Sequence, residues 1–134
     1  MPRQVKASDT EKVTINLGYV DLGRIDLLVE EGFYTNRTDF IRAAIRAQLG
    51  SHSGDMTALI ERRVLDIGLR DFTRADLEAA RDAGELLHIK VVGLARLASD
   101  IDAELALATI GSINVLGALQ ASPEVKDALG TRIS

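Results

Sequence analysis

The sequence predicts an α+β protein in two parts: a strand and two helices that need a second copy to bury their apolar faces, then a small α/β layer. Residues 12–17 alternate polar and apolar side chains. The two stretches after them place apolar residues at helical spacing, and beyond residue 63 strand-like runs alternate with short capped helices.

Residues 1–11 are polar and lack periodicity, which predicts a flexible arm. In Lys12-Val13-Thr14-Ile15-Asn16-Leu17, the residues Val13, Ile15 and Leu17 share one face of a strand, and Gly18 ends it. Leu22, Ile25, Leu28 and Val29 predict a first helix over about 21–31, with Gly32 as its stop. Thr35 or Asn36 caps a second helix, and Asp39 adds charge in its first turn. On that helix Phe40, Ile41, Ala44, Ile45 and Leu49 form one face, Arg42 and Arg46 another, and Gly50 closes it.

The small polar cluster at 51–55 predicts a linker, so that residues 12–50 form one domain and 56–134 another, opening on a helix from Met56 to about Arg63. Strands are expected at 64–70, 88–97 and 112–119, and helices at 74–83, 102–110 and 123–129. These segments suggest βα repeats of about 24 residues. Aligning Gly68, Gly93 and Gly117 sets Ile89 on Ile113 and Val91 on Val115, while Leu65, Ile67 and Leu69 alternate in the opposite phase. Thr73, then Ser99 or Asp100, then Ser122 before Pro123 provide the helix starts.

The composition, 46% hydrophobic and 27% charged, is that of a folded globular protein. The absence of cysteine excludes disulfides and thiolate metal sites and suits a reducing cytoplasm. No apolar run reaches the roughly 18–20 residues that cross a bilayer, and the polar start has no signal-peptide core. A cytoplasmic protein with no membrane partner is therefore expected. The net charge of −4 argues against a nucleic-acid partner until its distribution is counted. Residues 1–50 carry seven Lys and Arg against seven Asp and Glu, and residues 51–134 nine against thirteen. All net acidity lies in the second half, and Arg3, Lys6 and Lys12 precede or open the strand.

A lone strand leaves a row of backbone donors and acceptors unpaired. Two copies of residues 12–17 paired antiparallel across a two-fold axis satisfy them. Val13, Ile15 and Leu17 of both chains then roof a four-helix core to which Leu22, Ile25, Phe40, Ile41, Ala44 and Ile45 contribute. The other face displays Lys12, Thr14 and Asn16 twice over. Such a ribbon fits the major groove, where Lys donates to guanine, Asn pairs with adenine and the Thr methyl meets a thymine methyl. The start of the second helix, with its unpaired N–H groups and Arg37, suits a phosphate.

The run KVTINL, a helix, and then GFYTNRTDFIRAAIRAQL resembles the ribbon-helix-helix family of bacterial regulators and antitoxins over about residues 11–50. The turn and helix start, from Gly32 to Arg42, is the most specific part of the match. The resemblance implies an intertwined homodimer on operator DNA, with base contacts from Lys12, Thr14 and Asn16 and phosphate contacts near Thr35, Asn36 and Arg37. It also implies a bacterial, nucleoid-associated location. Lys12 stands where the family more commonly has arginine, which keeps the charge without the bidentate fork.

Other candidates read as structural. Arg42 and Arg46 are expected to be solvated or paired, Phe33, Tyr34 and Phe40 to pack in the core, and Asp100, Asp102 and Glu104 to cap or face solvent. His52 and His88, without cysteine, make no metal site, and no cofactor is expected. No nucleophile triad or phosphate loop is present, so no enzyme is expected. The second half is expected to regulate or oligomerise a repressor, with higher oligomers built through 56–134. The alternative is an antitoxin whose second half binds a toxin protein.

Overall fold

A computed structural model describes residues 10–134. The arm expected at 1–11, with Arg3 and Lys6, lies almost wholly outside the described residues. The chain divides into two compact units, one up to Ala58 and one from Leu59 to Ser134.

The first unit holds α1 (Tyr19–Glu30), α2 (Arg37–Ser51) and the start of α3 (Ser53–Arg63). Gly32, at φ 85°, ends α1 as its sequence position predicts. Its N–H donates to the Val29 carbonyl, and that of Phe33 to Leu28. Tyr34 and Phe40 are half-buried and meet edge to face, with centroids 5.0 Å apart. Phe33, expected in the core, is 71% exposed in the single chain.

The linker expected at 51–55 is helical instead. Only His52 separates α2 from α3, and its carbonyl accepts from the Met56 N–H at 2.8 Å. Small polar residues that suit a linker also suit a helix start, and Ser53, Gly54 and Asp55 form the first turn of α3. The boundary between the compact units falls inside this helix.

The second unit runs β1 (Asp66–Phe72), α4 (Arg74–Asp82), β2 (Leu87–Leu97), α5 (Ala103–Thr109), β3 (Ile110–Gln120) and α6 (Pro123–Leu129). A 3-10 turn over Gly130–Arg132 follows. The strands form a parallel sheet in the order β1-β2-β3. Each strand start and end lies within about three residues of its sequence-based expectation, and α6 has the expected bounds. Leu77 of α4, Leu105 and Ala106 of α5, and Val125 and Leu129 of α6 close a core with Ile89, Val91, Ala95, Leu97 and Ile113 on one face of the sheet.

In the second unit the starts of α4, α5 and α6 are capped by side chains. Thr73 and Asp76 form a reciprocal capping box on α4, and Ser122 caps α6 with Pro123 in its first turn. Asp102 caps α5 through the Leu105 N–H at 2.7 Å, in place of the expected Ser99 or Asp100. Ile101, only 2% exposed, occupies the core just before it.

Gly68, Gly93 and Gly117 stand side by side in the sheet, with Ile89 beside Ile113 and Val91 beside Val115. All three glycines have φ between 120° and 135°. A Cβ on Gly93 would overlap the Gly68 carbonyl, and one on Gly117 the Gly93 carbonyl, so the bare backbone lets the strands approach. Ile67 pairs with Val92 and Leu69 with Leu94, which explains the opposite phase of the first strand: its alternating apolar residues face away from the helices.

Candidate functional site

Thr10–Gly18 carry no regular structure in the single chain, and Lys12, Thr14 and Asn16 are exposed. So are their apolar neighbours: Val13 is 77%, Ile15 59% and Leu17 40% exposed. A strand gains its backbone bonds only from a partner, and the expected partner is a second copy. Of the other residues expected in the dimer core, Ile25 is buried, Leu22, Phe40 and Ile41 are half-buried, and Ala44 and Ile45 are exposed. The apolar face of this unit is thus largely uncovered by its own chain.

The start of α2 is built by Thr35, Asn36 and Asp39. Asn36 is its N-cap, and the carbonyl oxygen of its side chain accepts from the Asp39 N–H at 2.8 Å. The Asp39 carboxylate in turn accepts from the Thr35 N–H at 3.0 Å. This reciprocal pairing fixes the turn that the sequence motif marks, and it leaves the N–H groups of Arg37 and Thr38 without helical acceptors at the positive end of the helix dipole.

Arg37 itself is held elsewhere. Its Nε and one terminal nitrogen donate to the two carboxylate oxygens of Asp26 on α1, at 2.7 and 2.8 Å. The fork locks α1 to α2 and holds the Asp26 carboxyl below the usual carboxylate range, chiefly through the hydrogen bonds from Arg37. The Arg37 guanidinium is raised in turn by the same bonds.

Sequence reasoning set Arg42 and Arg46 aside, yet they line an open groove of about 390 Å³ together with Thr35, Asn36, Thr38 and Asp39. Their i, i+4 spacing places them one turn apart on the face of α2 that continues from its N-terminus. Among the described residues neither makes an ion pair, so their charge is available to a ligand at that groove. The signal was in the spacing from the cap: Asn36, Asp39, Arg42 and Arg46 advance by three or four residues along one helical stripe.

The remaining candidates have local roles. His88 Nδ1 lies 2.8 Å from the Ser112 hydroxyl on the adjacent strand, and His52 Nδ1 lies 3.3 Å from the Asp55 carboxylate. In the acidic cluster, Asp102 caps α5 and sits 3.7 Å from Arg74, which also binds Glu78 at 2.8 Å. A groove of the second unit, about 620 Å³ at the carboxyl ends of the strands, contains Asp71 and Arg96, paired at 3.3 Å. No described helix is long and apolar enough to cross a membrane.

Comparison with known families gives a match to the ribbon-helix-helix transcriptional regulator family over residues 8–126. Searches of curated proteins and of solved structures returned no match.

Proposed function

The chain belongs to the ribbon-helix-helix transcriptional regulator family, and from that premise we propose that it is a repressor that lays a two-stranded ribbon, one strand from each copy, in the major groove of operator DNA. Lys12, Thr14 and Asn16 of both chains read base edges there. The phosphates on either side are gripped at the two α2 starts, by the open N–H groups behind Thr35 and Asn36 and by the side chains of Arg42 and Arg46. Arg37 contributes its backbone N–H, while its guanidinium keeps α1 and α2 in place.

The observation that carries this reading is the groove at the α2 start, where a capped helix terminus meets two arginines that make no ion pair among the described residues. Its charge also answers the acidic total: the site needs local cations, and Arg42 and Arg46 supply two per chain, or four per dimer. The exposed Val13, Ile15 and Leu17 support a paired ribbon, since burying them against a second copy is what would orient the polar face outward.

The antitoxin alternative is less well supported. A tail that folds on a toxin lacks a closed core of its own, and the second unit has one.

The test is binding to a selected operator over a range of salt. Arg42→Ala and Arg46→Ala are expected to weaken all DNA alike and to reduce the salt slope by about one each. Asn16→Ala should instead lower discrimination between operator and mutated sites by about tenfold, the weight of one base contact. Unchanged discrimination for Lys12→Ala, Thr14→Ala and Asn16→Ala would reject the ribbon face.

A further inference from the structure

The helices α4, α5 and α6 all pack on one face of the β1-β2-β3 sheet. The opposite face is ordered by the same register into four rows. Lys90 and Asn114 form a polar row, followed by Ile67, Val92 and Leu116, then Leu69, Leu94 and Ala118, and finally Asp71, Arg96 and Gln120. Two apolar rows thus lie between two polar ones. Ile67 is 66% and Leu116 46% exposed, whereas Leu94, central in its row, is shielded.

Sheets made only of parallel strands are covered on both faces, and their strands read as nearly continuous apolar runs. The run Ile89–Leu97 has that character, with Val92 and Leu94 turned away from the helix-side core. The sequence is that of a doubly covered sheet, and the helices cover one side.

We propose that the face carrying Val92, Leu94 and Leu116 is a homotypic interface, covered by the same face of the second copy within the dimer. The inference rests on the dimer of the preceding section and adds a second contact to it. Its size favours this occupant. Three strands about 4.8 Å apart and about 7 residues long present on the order of 400 Å² per copy, hence roughly 800 Å² for two. A stable free complex needs about 1,200 Å² or more, so the face is too small to hold an independent partner unaided. A second copy already joined through the ribbon meets it at an effective concentration near the millimolar range, where a contact this small suffices. The polar rows then form the rim around an apolar centre.

The chain has no cysteine, so Leu116→Cys in the full-length protein reports on this face alone. With a short bis-maleimide at low micromolar protein, it is expected to give covalent dimers in a yield unchanged by about tenfold dilution, as an intramolecular reaction requires. Glu124→Cys, exposed on α6, should give few. A yield that falls with dilution assigns the face to contacts between dimers and overturns the proposal. An uncrosslinked thiol overturns it too, whether it reacts freely with a soluble maleimide or is hidden by another segment. Sedimentation of the same samples separates the two failures: a dimer that does not crosslink refutes this interface only, whereas a monomer refutes the ribbon dimer beneath it.

Discussion

Between Thr10 and Ala58 only Ile25 is buried, while Val13, Ile15, Ile45 and Leu49 each remain more than half exposed. Between Leu59 and Ser134 the reverse holds: Leu77, Ile110 and Ile113 are fully hidden, and the two crossover helices α4 and α5 share one core with α6. Apolar burial supplies most of the folding free energy, at about 25 cal/mol per Å². The second unit meets that requirement within one chain. The first has the right residues and too few partners for them. Its stability should therefore rise with protein concentration, as for any fold completed by association, and that of the second much less. If the proposed ribbon dimer forms, the half suited to DNA is completed by pairing, which would couple recognition to assembly.

The sharpest way to break this contrast is to damage the second unit from within its sheet. Gly117→Ala and Gly93→Ala force a methyl onto the carbonyl of the neighbouring strand. Gly68, on the edge, meets nothing within 4 Å and would bear only the cost of its φ of 120°. The expected losses in urea unfolding are about 3 kcal/mol or more for the two inner glycines and about 1 kcal/mol for Gly68→Ala. Equal losses at all three would mean that backbone conformation, and not strand approach, selects glycine there. Dimerisation through the first unit should survive each substitution.

These elements also show what the sequence made legible. Period-two alternation, helical spacing and cap residues are local signals, and they located every described helix and each sheet strand to within a few residues. The glycine alignment placed three residues that the sheet sets side by side. What escaped depended on longer-range competition. Residues 51–55 have the composition of both a linker and a helix start, and the adjoining helices decide between them. The motif singles out Arg37, but it does not show that Asp26, eleven residues earlier, pairs with its guanidinium. Arg42 and Arg46 looked like ordinary surface residues because their spacing from Asn36, although visible in the sequence, does not by itself show that they line one groove with it.

A smaller effect lies where α3 gives way to β1. Val64 has φ 52°, a left-handed conformation that a β-branched side chain adopts only under strain, and it is 74% exposed. It ends α3 as a glycine would, with the Leu65 N–H reaching back to the Ile60 carbonyl at 3.0 Å. Val64→Gly should relieve that strain and stabilise the protein by about 1 kcal/mol in urea unfolding, in spite of the greater freedom of glycine in the unfolded chain. A loss of stability would show that the valine side chain makes a contact worth more than the strain.

The smallest expected effect separates the units by acid. Asp76 is held below the usual carboxylate range by hydrogen bonds from the Thr73 backbone N–H and hydroxyl, and Asp26 by those from Arg37. In both, the folded value lies below the unfolded one of about 3.9, so the stabilisation is complete above about pH 5 and is lost as the pH falls through the lower folded value. Between neutrality and about pH 5 neither group makes stability depend on pH. Asp76→Asn should flatten the acid limb of unfolding of the second unit, followed by circular dichroism, and leave dimerisation unchanged. Asp26→Asn should flatten the acid loss of dimer instead, because the pair it breaks joins α1 to α2 in the unit proposed to fold by association. If both substitutions act on one transition with one midpoint, the two units unfold together, and the contrast between them does not extend to their unfolding.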